Sequence, residues 1–489
     1  MSSPKQSRLA GALSLVIAQA VVLVLGYVTH LWIGRVLGPA PYGIYGVVLA
    51  LQSIIGLLLT LGVPVAISRF VARDEAHAHS ILAQGIRIQT VIALLVALTT
   101  LILSPLFASL LGDASLTNYI RFIALIIFLQ AYYPIFVQFL SGMHRFNRQA
   151  LLTICYAAAK LIGALSLIYI FGVYGAFAGF AVGGVVAAVV GWLWTWPSSE
   201  QAHRQLPYKA FLQFAGTYVL ILVGLQLLIS LDLFMVKALL KNDVLAGYYN
   251  AAVTLSRISY MLLQALAFIL LPSVSALTRP GKSHTDAAQF IAEAIRYLIA
   301  LIVPSVVLAA TTSRALVTLF YSHSYLPAAP VLTVLIVGIG SLAFYLLLTN
   351  IVAGAGKARV GLILTVGLLI ASAGLGFILI PQYGLMGAAW QTTSVGLLGL
   401  AILGAYTFKA FAIHFPLRST INILIATAVS AVPTSLWQTE PLTLLPQYIL
   451  AGALYVAVLL VLQEISPTDR QRLSSLHPRL HWLAAKISS

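Results

Sequence analysis

Apolar runs of about 20 residues recur along nearly the whole chain, divided by short polar breaks; that length crosses a hydrocarbon core of about 30 Å. An unpaired amide in hydrocarbon costs several kcal/mol, so runs of this kind are confined to helices. Reading runs against breaks predicts fourteen spans, at about 9–33, 43–68, 84–108, 117–140, 150–172, 174–196, 210–235, 246–275, 288–312, 328–350, 359–380, 386–409, 419–437 and 446–464. Only 8% of the 489 residues are charged, against roughly a quarter in a soluble domain. The expected class is an all-α polytopic membrane protein with no soluble domain able to hold an enzyme.

Lys5 and Arg8 precede the first run, and Ala18-Gln19-Ala20 has the form of a signal-peptidase site, but the run is too long for a signal peptide. An uncleaved first helix is expected. Cys155, the single cysteine, has no partner for an intrachain disulfide. No His/Cys cluster and no hydrolase or zinc-protease motif is present. Gly354-Ala-Gly356-Lys357 matches part of a phosphate loop, but Ala358 stands where Ser or Thr is needed, so no nucleotide site is assigned.

Charge sets the orientation. With the N-terminus inside, 20 of the 27 Lys and Arg residues fall on inner segments, 5 on outer ones (Arg35, Arg121, Lys237, Lys241, Arg314), and Lys160 and Arg257 within helices. That asymmetry places both termini in the cytoplasm of a multi-pass cell-membrane protein. Basic inner loops facing an anionic leaflet also account for the net charge of +16, with no nucleic acid as partner.

Two halves repeat. His30-Leu-Trp-Ile-Gly-Arg35 leading into Tyr42-Gly43-Ile-Tyr45 parallels Asp232-Leu-Phe-Met-Val-Lys237 leading into Ala246-Gly247-Tyr248-Tyr249. Ser141-Gly142 parallels Ala353-Gly354, and Tyr174-Gly175 is aligned with Tyr383-Gly384. Six helices separate the markers, an even number, so the repeat is parallel and its axis lies along the membrane normal. The expected division is an N-lobe at 1–196, a cytoplasmic linker at 197–209, a C-lobe at 210–410, two extra helices at 411–464 and a cytoplasmic tail at 465–489.

The candidate site is cationic. Lys160 and Arg257 fall near the bilayer midplane, where a charge is costly and is expected to face a wet cavity or an anionic partner. Pairing of Arg257 with Asp232 is the structural alternative. Arg35 and Lys237 recur at the outer helix ends, as gating or substrate contacts or as snorkelling cations, and Arg296 either reaches the cavity or snorkels inward. Asp232 is the candidate for gating or coupling. Gly175, Gly179 and Gly183 read as helix packing, and Gln19, Gln52, Gln130, Gln226, Gln264 and Gln391 as cavity lining or interhelical bonding.

The stretch Gly34-Arg35-Val-Leu-Gly38-Pro39-Ala-Pro-Tyr42-Gly43-Ile-Tyr45 resembles a signature of the polysaccharide transporter family. So do Asp232 to Lys237, then Gly247-Tyr248-Tyr249-Asn250-Ala251-Ala252, and the helix ending Leu271-Pro272. This family of Wzx-type flippases lies within the multidrug/oligosaccharidyl-lipid/polysaccharide (MOP) exporter superfamily. The resemblance implies two six-helix lobes in a MATE-like V around an alternately opening cavity. It implies export of undecaprenyl-diphosphate-linked oligosaccharide; polysaccharide-assembly enzymes and membrane lipids are expected partners and no cofactor is expected, while the sequence leaves open whether transport is driven by membrane potential, a sodium or proton gradient, or downstream removal of product. Lipid II is a second cargo, suggested by the fourteen-helix count; the Arg-rich opening of helices 1 and 2 usual in that branch is not seen. Multidrug export is disfavoured by the scarcity of membrane-embedded acids. A polytopic glycosyltransferase or polymerase is disfavoured by short outer loops without an acid–base pair.

Overall fold

The computed structural model describes residues 4–195, 216–258, 284–355, 357–412, 417–437 and 440–464. In order the helices are α1 (Pro4–Leu37), α2 (Pro39–Leu61), α3 (Val63–Arg73), α4 (Ala78–Leu110), α5 (Leu116–Gln130), α6 (Tyr133–Gly142), α7 (Phe146–Phe171) and α8 (Val173–Thr195). The second half has α9 (Gly216–Leu240), α10 (243–258), α11 (His284–Thr311), α12 (Ser313–Phe320), α13 (Ala328–Gly354) and α14 (Ala358–Ala410), followed by α15 (Leu417–Leu436) and α16 (Leu444–Val461). No strand occurs among the described residues.

Among the described residues, twelve helical segments are long and apolar enough to cross a membrane. One of them, α14, has 53 residues, about 80 Å at 1.5 Å per residue, which is two crossings rather than one. It breaks at Gly384, whose φ of 59° no side chain tolerates well. The span expected at 246–275 begins as α10, and its remainder lies outside the described residues. Counted with α14 as two, thirteen of the fourteen expected spans are found among the described residues. Ile102 and Ile170 (72% exposed) and Ile363 and Ile370 (70% exposed) point outward, as only a hydrocarbon surrounding permits in such density. The protein is a multi-pass membrane protein.

Breaks within crossings follow local chemistry. Gly62 separates α2 from α3, and Pro64 sits in the first turn of α3, where its missing amide is harmless. The α5–α6 crossing breaks at Ala131–Tyr132, just before Pro134. There the buried amide of Gln89 donates to the carbonyls of Leu59 (2.8 Å) and Ala131 (3.0 Å), satisfying backbone groups that the breaks leave free.

The backbone corrects the register of the last repeat marker. Gly172, between α7 and α8, has φ 55° and ψ −127°, and Gly384 has φ 59° and ψ −133°. Three residues on, a methyl at Gly175 would strike the Leu167 carbonyl and one at Gly387 the Leu379 carbonyl. Gly175 therefore corresponds to Gly387, not to Gly384. In this register Lys160 corresponds to Ser372, and the Gly179–Ala164 contact to Gln391 packed at Gly376. Gly179 and Gly183 bring α8 against Ala164 and Lys160 of α7, the packing expected of their spacing.

The α15–α16 hairpin docks along α11. Thr434 meets Thr311 (3.0 Å), Tyr448 meets Thr312 (2.6 Å), and Tyr455 donates to the Ala300 carbonyl (2.7 Å). Farther along α11, Arg296 pairs with Glu464 at 3.7 Å, and Asn422 donates to the same carboxylate at 2.9 Å. Arg296 is thus a structural tie.

Candidate functional site

The end of the bundle where α1 finishes is termed distal. There the two halves close on each other through the repeated glycine–tyrosine segments. Gly38, with φ 76°, turns the chain from α1 into Pro39 at the start of α2. The opening turns of α2 and α10 then cross so closely that a methyl at Gly43 would overlap the Asp243 carbonyl, and one at Gly247 the Pro39 carbonyl. The buried Asn250 donates to the Tyr42 carbonyl at 3.2 Å. Tyrosines continue the seal. The Tyr42 hydroxyl lies 3.0 Å from that of Tyr321 and 3.2 Å from the Thr254 hydroxyl, and Tyr325 donates to the Gly34 carbonyl at 2.7 Å.

Lys237 and Arg35 belong to this closure. Lys237, only 2% exposed, ends α9 and pairs with Asp113 from the α4–α5 loop and Asp243 from the start of α10. One cation therefore bridges the two halves. Arg35 is exposed and donates to the Leu319 carbonyl at 3.2 Å, again from one half to the other. Burial alone would raise the Asp113 carboxyl. The Lys237 ammonium and the hydroxyl and amide of Ser115 outweigh it and hold the carboxyl below the usual carboxylate value. A depressed carboxyl stabilises closure above its ordinary value, and that contribution is lost as pH falls through the depressed one. Distal cross-linking should therefore be constant from neutral pH down to about pH 4 and fall only below it. A midpoint near pH 6 would assign control to a histidine instead.

The seal ends about half-way down. Its last contact is the Tyr27 hydroxyl donating to the Thr254 carbonyl at 2.7 Å, and Arg257 lies three residues further along α10, partly exposed. Among the described residues it forms no ion pair, with Asp232 or any other acid. Lys160, mid-way along α7 in the other wall, is 9% exposed; its ammonium lies 5.0 Å from the Phe180 ring centre and 5.9 Å from that of Tyr156. Aromatic faces, not a carboxylate, are its neighbours among the described residues. The two midspan cations thus come from opposite halves.

His30 is the residue that reading by charge passes over, although it opens the repeated segment. Its Nδ1 is 3.1 Å from the Tyr45 hydroxyl. At the equivalent place in the second half, Asp232 accepts from the Tyr249 hydroxyl at 2.7 Å and from the Thr392 hydroxyl at 2.7 Å. Asp232 is 1% exposed and sits inside the second half, away from the closure formed by Lys237. Among the described residues no group of His, Cys, Asp and Glu could hold a metal ion. Below the distal closure each half thus carries one midspan cation with no acid paired to it among the described residues, an arrangement that suits an anion entering low-dielectric surroundings.

The family of polysaccharide biosynthesis proteins matches residues 8–278. A search of curated proteins found no sequence match. Among solved structures, the chain is similar to the lipid II flippase MurJ in an inward closed conformation, with a TM-score of 0.72, 16% identity, and coverage of 90% of this chain and 97% of that one. It is similar to an inward-facing multidrug resistance MATE transporter of the MOP superfamily (TM-score 0.63, 17% identity, 80% and 95% coverage). A third is a MOP superfamily transporter from Pyrococcus furiosus, described as having a binding pocket of reversed polarity (TM-score 0.58, 17% identity, 84% and 96% coverage). The likeness extends over nearly the full length of each and gives the fold: two parallel helical bundles of the MOP type, followed by a helical hairpin. With more than half its length matched, the chain belongs to the polysaccharide biosynthesis protein family, on a MOP-superfamily fold.

Proposed function

We propose that this protein is a flippase that moves a lipid-linked oligosaccharide, carried on undecaprenyl diphosphate, from the inner to the outer leaflet by alternating access. The observation that carries the reading is a pair of midspan cations, Lys160 in the first half and Arg257 in the second, neither paired with an acid among the described residues, below a closure in which the two halves meet. A diphosphate is the anionic part of such a cargo. Arginine offers it a planar fork and lysine a compact charge. The sugar travels in the wet cleft, and the polyprenyl tail stays in lipid. In this scheme the distal end is the outer face of the cell membrane, both termini are cytoplasmic, and the 1–196 and 210–410 lobes rock against each other. Asp232, linked to α10 through Tyr249 and to α14 through Thr392, is the candidate for coupling to sodium or proton.

The likeness to MurJ favours lipid II as the second cargo, and the two are separated by the same measurement. In vesicles holding the purified protein, lipid-linked oligosaccharides should cross at a rate that empty vesicles do not match. Protein-free rates with every cargo offered would end the flippase reading. Multidrug export and sugar transfer are the remaining classes; the first would need acids facing the cleft, the second turnover of a donor sugar by the purified protein.

Orientation has its own test. A cysteine at Ser324, exposed at the distal end, should react only with reagent added outside, and one at Ser199, in the linker, only from the cytoplasm. Reaction of both from one side would reject this topology.

A further inference from the structure

A cavity of about 310 Å³ opens in the wall of the first half, between α2, the α5–α6 break, α7 and α8. Its lining combines three kinds of surface. Tyr133 and Tyr156 stack with ring centres 4.2 Å apart and planes 12° from parallel, and Phe180 adds a third aromatic face. Gln52 and Gln130 bring two amides together, one donating to the other at 3.4 Å. Ser53 presents an exposed position on the same wall. None of the lining residues is acidic.

The amide pair is incomplete. Gln52 Oε1 and Gln130 Nε2 are buried with no hydrogen-bond partner among the described residues. Exchanging oxygen and nitrogen in both side chains reverses their mutual bond but still leaves one acceptor and one donor unfilled. A buried pair of this kind is unfavourable to leave open. A hydroxyl fills both needs at once; a hydrocarbon tail fills neither, and a cationic drug would lack a counter-charge. The volume lies at the lower end of small-molecule sites, which run to about 300–1,000 Å³, so it admits one ring rather than a chain of them.

Lys160 fixes which ring. Its ammonium lies 5.0 Å from the Phe180 ring centre and 5.9 Å from that of Tyr156, both of which line the cavity, so the phosphate end of a ring held there lies beside a cation. We propose that this cavity holds the first sugar of the cargo, the ring esterified to the diphosphate, with its hydroxyls on the Gln52–Gln130 pair and its apolar face on the aromatic wall. The inference rests on the flippase reading and adds a sugar-binding site to it.

The test is binding by the full-length protein in lipid nanodiscs of two probes, undecaprenyl diphosphate and undecaprenyl diphosphate bearing one sugar. Gln52→Leu, Gln130→Leu and the cavity-filling Ser53→Trp should each weaken the sugar-bearing probe on the order of tenfold, leaving the sugar-free probe within twofold of wild type. Retained binding of the sugar-free probe shows that each variant is folded. Equal weakening of both probes, or no change in either because the amides hold only water, would overturn the sugar site. Wild-type protein that binds neither probe overturns the flippase reading, and the sugar site with it.

Discussion

Arg257→Ala is expected to abolish most translocation while the protein still reaches the membrane in normal amount. Removing a charge from mid-depth eases insertion, since an arginine there costs at least about 2.5 kcal/mol on insertion scales. The loss should therefore appear in transport at matched abundance. Arg257→Lys should recover only part, because it keeps the charge and gives up the fork that binds two phosphate oxygens together. At Lys160, where the neighbours are ring faces and a point charge suffices, arginine should be tolerated better than alanine. Wild-type transport by both alanine variants would make these residues structural and move the cationic mechanism to Arg35 and Lys237.

Gly247→Leu should have an effect of similar size by a different route. At this position backbone meets backbone, the Pro39 carbonyl, so the added side chain has no flexible neighbour to displace. The variant should be unable to close distally and should stay open on that side. A cysteine placed at the sealed Tyr321 position should then react with outside reagent in Gly247→Leu and be protected in the parent. Transport should fall to background, since alternating access needs both closures. Protection of the cysteine in Gly247→Leu would mean that the α2–α10 crossing is not the seal.

How much of this was legible beforehand depended on distance along the chain. Lys160 and Arg257 announce themselves, because a cation within an apolar run has few roles. The spans and the parallel repeat follow from lengths and recurring letters, whereas the breaks at Gly62 and at Ala131–Tyr132 inside crossings do not. What brings Lys237 to Asp113, 124 residues away, or Gln52 to Gln130, 78 away, is tertiary packing, which periodicity does not encode. His30 was hidden by neutrality: nothing in an apolar run marks an imidazole until it is seen to hold Tyr45, at the place where Asp232 holds Tyr249 in the second half. The register error had a simpler source. Tyr174-Gly175 and Tyr383-Gly384 match as letters, while the backbone turn that was duplicated lies at Gly172 and Gly384.

That duplicated turn has an electrical consequence. The two halves keep the same bend at Gly172 and Gly384, yet Lys160 in the first is matched by Ser372 in the second, where Gln391 donates to the serine carbonyl and hydroxyl at 2.9 Å. Ancestral symmetry survives in the mechanics and is gone from the electrostatics. Only the first half carries a charge on that helix face; Arg257, in the second half, stands on a different helix. On the flippase reading proposed above, an anionic cargo therefore meets a lysine from one half and an arginine from the other, set on helices that the repeat does not match.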